Sequence, residues 1–191
     1  TWSSSCGDWL RHFSISADGY YNTVKDKIVA LPTMYVWKMM NMGEVDIKGV
    51  DVNLSTQFRL PLRMSLLLAS TYSFQYAVDV TDPEAKNYKD QIPYTPRHSG
   101  TVSVTVENPW VNVSYILTAV GDRYALPQNI DRNRIDSYIE QSISINRDFR
   151  FRYFGLRLQG ELLNLANVNY DVIQYYPMPG RSWRLSICLS Y

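Results

Sequence analysis

Apolar and polar residues alternate with a period of two over most of the chain. Trp183, Leu185, Ile187, Leu189 and Tyr191 share one parity, and Ser182, Arg184, Ser186, Cys188 and Ser190 the other. That pattern belongs to a strand with one greasy face and one small or polar face, and it predicts a closing strand over residues 180–191. The same signature recurs upstream. Residues 11–30 open with Phe13, Ile15, Ala17, Gly19 and Tyr21 against His12, Ser14, Ser16 and Asp18. A parity slip at Asn22-Thr23 predicts a bulge there, with a turn as the alternative. Val50, Val52, Leu54 and Phe58 then oppose Asp51, Asn53, Ser55 and Gln57, and Leu66, Leu68, Tyr72, Phe74 and Tyr76 oppose Ser65, Thr71, Ser73 and Gln75. Val102, Val104 and Val106, then Val113, Tyr115 and Leu117, then Ile139, Ile143 and Ile145, and finally Leu156, Leu158 and Leu162 carry the apolar side of four further strands.

The connections between these strands alternate in length. Turns are tight near Pro61, Pro109 and Asp148, and long, polar stretches fill 78–97, 121–134 and 164–181. About eight antiparallel strands result, with short turns at one end and long loops at the other. Alternation alone fits a water-soluble barrel, whose apolar face is its core, as well as a membrane barrel, whose apolar face meets lipid. Several runs exceed the five or six residues usual in globular sheets and reach the roughly 9 to 11 that cross a bilayer at a tilt. That length favours the transmembrane reading, with Asp51, Asn53, Gln57, Arg157, Gln159 and Glu161 on the lumen side.

Composition adds modest constraints. The chain of 191 residues is 46% hydrophobic and carries 15 tyrosines, a side chain suited to a boundary between oil and water. A formal net charge of +1 argues against a large electrostatic partner such as nucleic acid or an anionic membrane surface. The cluster Arg147, Arg150 and Arg152 reads as a solvated turn. Two cysteines, Cys6 and Cys188, are too few for a disulfide framework or a four-ligand zinc site. No run of about 18 apolar residues predicts a membrane-spanning helix.

Asn41-Met42-Gly43, Pro93-Tyr94-Thr95-Pro96, Asn164-Leu165-Ala166-Asn167 and Tyr176-Pro177-Met178-Pro179-Gly180 lie in four stretches that resemble segments of TonB-dependent outer-membrane receptors. Residues 41–51, from Asn41-Met42-Gly43 to Lys48-Gly49-Val50-Asp51, look like a strand motif of the form N-G-x-x-x-x-K-G-V/I-E. Ile92-Pro93-Tyr94-Thr95-Pro96-Arg97-His98 is similar to the P-x-x-P-x-H segment that leads from loop to strand. Asn164-Leu165-Ala166-Asn167-Val168-Asn169-Tyr170 resembles N-L-F-N-x-x-Y, with Ala166 in place of the usual aromatic. Tyr176-Pro177-Met178-Pro179-Gly180-Arg181-Ser182-Trp183 is similar to the lead-in to the family's final strand.

The resemblance, of a Bacteroidetes-like kind, implies that residues 1–191 are the C-terminal part of a receptor barrel, supplying about eight of roughly 22 strands and without the plug domain. It further implies active uptake of a scarce nutrient such as a ferric siderophore, haem or cobalamin, in the outer membrane of a Gram-negative bacterium. The implied partners are outer-membrane lipid, the plug and other strands of the receptor, the TonB complex through a missing N-terminal part, and a surface lipoprotein. Tyr88, Tyr94, Tyr124, Tyr175 and Tyr176 would be loop residues for ligand stacking, and the lumen row would hydrogen-bond a plug. Pro177, Gly180, Arg181, Trp183 and Tyr191 would shape the closing strand, whose pattern resembles the C-terminal signal read by the barrel-assembly machinery.

Other functional classes find less support. His98-Ser99 is the sole pairing of base and nucleophile, but neighbours in a strand point to opposite faces, so no enzyme is expected. Asp79, Asp82, Glu84 and Asp90 lack calcium-loop spacing, so neither a metal nor a cofactor is expected. A self-contained eight-stranded barrel, acting as an adhesin or binding protein, is the alternative architecture. In it Arg157 and Glu161 could pair across a narrow lumen.

Overall fold

The computed structural model describes residues 9–32 and 36–190. Cys6 and Tyr191, the predicted terminal aromatic, lie outside them. In chain order the strands are β1 Leu10–Pro32, β2 Trp37–Leu60, β3 Met64–Asp79, β4 His98–Glu107, β5 Asn112–Val120, β6 Arg123–Tyr124, β7 Arg134–Ile135, β8 Tyr138–Arg150, β9 Gly155–Leu163, β10 Asp171–Ile173, β11 Tyr176–Pro177 and β12 Ser182–Ser190. Eight of them form one sheet in the order β1-β2-β3-β4-β5-β8-β9-β12, and every neighbouring pair is antiparallel. Two small ribbons, β6-β7 and β10-β11, sit in the long loops.

The registers carry the predicted alternation across the whole sheet. One row runs His12, Gln57, Leu67, Thr105, Ser114, Ser144, Glu161, Arg184; the row beside it runs Phe13, Thr56, Leu68, Val104, Tyr115, Ile143, Leu162, Trp183. Because adjacent residues in a strand face opposite ways, these are one polar and one apolar face. The apolar face is not a core. Ile15 is 61% exposed, Ile139 51%, Ile145 49% and Leu185 65%. Leaving such a side chain in water forfeits roughly 1.5–3 kcal/mol, and contiguous apolar patches beyond a few hundred Å² mark an interaction surface. This face is built for an apolar surrounding.

The sheet is also open. β1 and β12 are its two edges and do not pair with each other. A closed eight-stranded barrel is therefore ruled out for the described residues, and so is the proposed Arg157–Glu161 pair across its lumen. Arg157 instead grips Asp148 on β8, and Glu161 meets Arg184 on β12 at 3.2 Å. Both are cross-strand pairs on one face, the sheet's ordinary neighbours.

Three further details differ from expectation. The register shift in β1 lies between Leu10 and His12, not at Asn22-Thr23. Alternation fades after Thr23 because β2 stays paired with β3 only as far as Val45–Asp79. Beyond that point β1 and β2 continue as a two-stranded ribbon outside the sheet, buried only locally where Met42 and Val29 pack on the Ile92 cluster, and Asp26 there takes a positive φ of 54°. The turn expected around 147–152 is displaced: β8 runs to Arg150 and β9 starts at Gly155. Asp148, which read as a turn signal, is in fact paired across strands with Arg157. The second long loop is likewise not featureless, since it holds β6, β7 and a 3-10 turn at Asp131–Asn133.

The other turns match the sequence reading. Leu62 and Arg63 take positive φ in the reversal after Leu60, and the Asn108 carboxamide oxygen accepts from the amides of Trp110 and Val111. Gly49 is needed where β1, β2 and β3 approach closely. A Cβ built there would come within 2.5 Å of the Phe74 carbonyl oxygen and within 2.5 Å of the Tyr20 hydroxyl. Gly49→Val should destabilise the folded form by about 3 kcal/mol through overpacking, read as a lower urea midpoint in detergent. Tyr20→Ser should restore only part of the loss, because the carbonyl clash remains; an unchanged midpoint in the single variant would contradict the close approach.

Candidate functional site

The buried side chains gather at the long-loop end. Met42, Val45, Ala77 and Ile92 form the core cluster, where the 80–97 loop folds back onto β2 and β3. Gln91 pins it: its side-chain oxygen accepts from the Ala77 amide at 3.3 Å, and its side-chain nitrogen donates to the carbonyls of Gln75 and Thr95. Gln91 is 1% exposed, so each of these bonds meets a group that would otherwise be desolvated without a partner. The Asp79 carboxylate accepts from Thr81 and Asn87 within the same loop.

The three long loops are tied into one layer. The Asp90 carboxylate accepts from the Asn129 amide at 3.0 Å, and the Tyr94 amide donates to the Tyr124 carbonyl at 2.7 Å, joining the first loop to the second. Arg123 joins the second to the third: its Nη2 donates to the carbonyls of Asp171 at 2.6 Å and Val172 at 2.9 Å, and its guanidinium lies over the Tyr138 ring. Arg123 is 4% exposed, and its Nη1 has no partner among the described residues. Burial lowers its pKa, while Tyr138, Tyr94 and Asp171 act in the opposite sense. The Tyr94 phenol is raised by burial, against a backbone hydrogen bond from Gln174 and the charge of Arg123. Tyr170 stacks on Tyr138 with centroids 4.1 Å apart and donates to Glu140 at 2.7 Å; burial first, then that bond, push its pKa up.

A cleft of about 290 Å³ opens between the second and third loops, lined by Arg134, Asp136, Ser137, Asn169, Tyr170 and Gln174. It offers charged, hydroxyl and amide groups on one small concavity. The predicted stacking residues do not converge on it. Tyr94 and Tyr124 meet through their backbones; Tyr88 lines a separate cavity with Met40, Asp79 and Pro127, with Lys89 over its ring; Tyr175 and Tyr176 are exposed at the tip of the third loop.

The lead-in to the closing strand is held by two asparagines. Asn164, 2% exposed and at φ 49°, donates to the carbonyls of Val168 and Pro179 and accepts from the Val168 amide. Asn167, at φ 53°, accepts from the Arg181 amide, and Arg181 Nε donates to the Leu165 carbonyl. A side chain at Gly180 would collide with Asn167, a Cβ falling 2.7 Å from its Oδ1. Asparagine is among the few non-glycine residues that accept positive φ readily. Pro177, Gly180 and Arg181 thus lie in the clasped segment, and Trp183 begins the apolar row of β12. Sequence reading gave these four a role in the closing strand, whereas Asn164 and Asn167 figured only in the N-L-F-N resemblance, with no role assigned to them.

On the polar face, Asp51 accepts from Ser73, Asn53 donates to Ser16 at 3.4 Å, and Gln159 donates to Glu161 at 3.0 Å. Gln57 is half-buried on the same face. The row is cross-linked within the sheet rather than left open. His98 and Ser99 part as expected: the His98 ring shares a hydrogen bond of 2.8 Å with the Tyr72 hydroxyl on the apolar face, and Ser99 lies opposite.

With this geometry in hand, comparison with known proteins is specific. The family model described as TonB dependent receptor-like, beta-barrel, matches residues 7–165. Among solved structures, BauA, the ferric preacinetobactin receptor from Acinetobacter baumannii, superposes with a TM-score of 0.70 at 12% identity, over 92% of this chain and 27% of that one. At that identity the likeness concerns the fold, and the chain spans about a quarter of the length of its structural relative. No curated protein sequence matches.

Proposed function

We propose, from the premise that the chain belongs to the TonB-dependent receptor-like β-barrel family, that it forms part of an outer-membrane receptor for active import of a scarce nutrient. In this reading the apolar face meets lipid, the polar face lines the lumen opposite a plug, and the edges β1 and β12 pair with further strands of one large barrel. The long loops face outward and the tight turns face the periplasm. The observation that carries the proposal is the open antiparallel sheet whose apolar face buries no core and leaves Ile15, Val50, Tyr72, Val102, Ile139, Ile145 and Leu185 exposed. An open sheet edge invites pairing, and lipid is the surrounding that such a face requires.

The loop layer would contribute to the external ligand site, with the cleft between Arg134 and Tyr170 as its polar part. A ferric siderophore, haem or cobalamin is the cargo class, energised through the TonB complex, with a surface lipoprotein as an accessory. Family members are transporters or receptors and not enzymes. Deleting the gene for the intact protein should abolish growth when one of these compounds is the sole source of its nutrient, and growth in the undeleted strain should depend on TonB. Unaffected growth across the panel would overturn the import reading.

A further inference from the structure

The turn between β8 and β9 carries a concentration of charge that the import reading leaves unused. Four arginines, Arg147, Arg150, Arg152 and Arg157, stand against one acid, Asp148, within residues 147–157. Arg157 and Asp148 form a two-point ion pair, with Nε to Oδ1 at 2.5 Å and Nη2 to Oδ2 at 3.0 Å. Arg147 and Arg152 have no carboxylate within ion-pairing range among the described residues. Each lies over an aromatic ring instead: Arg147 is 4.8 Å from the Phe149 centroid and Arg152 is 5.6 Å from that of Tyr153. Phe151 and Phe154 stack at 4.6 Å and close the turn through a backbone hydrogen bond of 2.9 Å. Phe151, Tyr153 and Phe154 are all exposed.

By parity Arg147 and Phe149 continue the apolar row of Ile143 and Ile145, so a cation stands at the rim of the face that meets lipid. A guanidinium that rests on a ring keeps its N–H donors free at its edge, in the fork geometry that suits a phosphate. The exposed rings beside it suit the boundary between headgroups and acyl chains. We propose that this turn binds the phosphate of anionic phospholipids in the leaflet that meets the tight-turn end of the sheet. Two cations without acid partners favour a net-negative headgroup over a zwitterionic one. The inference rests on the membrane reading above, and it replaces the solvated turn expected from sequence.

Native mass spectrometry of the intact protein in detergent, with equal amounts of phosphatidylglycerol and phosphatidylcholine, tests it. The wild type should retain phosphatidylglycerol preferentially. At about fivefold per arginine near an anionic surface, Arg147→Gln with Arg152→Gln should lower the ratio of the two retained lipids about 25-fold. Arg132→Gln, which removes one positive charge at the long-loop end, should leave the ratio unchanged. Should the double variant fail to fold by heat-modifiable migration, Arg152→Gln alone, in the exposed turn, should lower the ratio about fivefold. Equal retention of both lipids by the wild type, or an unchanged ratio in a folded variant, overturns the assignment. A protein that inserts into bilayers yet shows no preference fails this inference alone, whereas one that does not insert fails the membrane reading.

Discussion

Asn164→Ala should free the lead-in to the closing strand, at a local cost of about 3–5 kcal/mol. The side chain is buried and makes three hydrogen bonds, two donated to carbonyls and one accepted from an amide. Together they are worth about 2–3 kcal/mol net, the desolvation of the unpaired partners included. Alanine also bears the strain of the positive φ of 49°, about 1–2 kcal/mol. Amide exchange at Val168 and Arg181 is the readout, since the first bonds to Asn164 and the second to its neighbour Asn167. Asn164→Gly separates the two causes: it keeps the backbone conformation, loses the bonds, and should exchange more slowly than the alanine variant. Wild-type exchange at both amides in Asn164→Ala would show that the clasp does not hold the strand.

How this clasp appears in the sequence illustrates what was legible. Pro177, Gly180 and Arg181 were readable as strand punctuation, because proline and glycine restrict the backbone wherever they occur. Asn164 and Asn167 act through contacts with residues up to 15 positions away, and local patterns do not encode those contacts. The strands were legible for the opposite reason. Period-two alternation is imposed by two different surroundings on the two faces of the sheet, and it persists from Phe13 to Leu189 wherever both surroundings persist. It failed after Thr23, where the β1-β2 ribbon leaves the sheet and is covered only in part, Met42 being buried while Ile28 and Met39 stay exposed.

The loops followed a different rule. Their tyrosines suggested a stacking site; in the structure Tyr94 and Tyr124 are joined through backbone groups, and Tyr175 is 73% exposed. What organises the layer is a set of polar side chains: Gln91 ties the first loop to β3, the Asp90 carboxylate accepts from the Asn129 backbone amide of the second loop, and Arg123 reaches the third. A buried glutamine inside an apparently polar, solvated stretch has no one-dimensional signature, because its partners lie on the outer end of β3, 14 and 16 positions away, as well as in its own loop.

Arg123 offers the sharpest test of that assembly. Arg123→Met keeps the bulk of the side chain but leaves the carbonyls of Asp171 and Val172 without their charged donor. Hydrogen bonds from a charged group are worth about 1.5–3 kcal/mol each. The unpartnered Nη1, relieved by the substitution, offsets part of the loss. A net local cost of about 3 kcal/mol remains, equivalent to roughly 100-fold faster opening. It should be visible as faster exchange of the Met178 amide, which donates to Tyr170 across the third loop, with amides of β4 and β5 unchanged. Arg123→Lys should recover less than half of the protection, because a single ammonium lacks the planar fork that fixes the guanidinium between two carbonyls and the Tyr138 ring. If the cleft beside Tyr170 takes the cargo, the methionine variant must order its loops on binding and its affinity for that cargo falls by the same factor. Unchanged exchange at Met178 would remove Arg123 from the centre of the layer and leave the three loops to be held separately by the sheet.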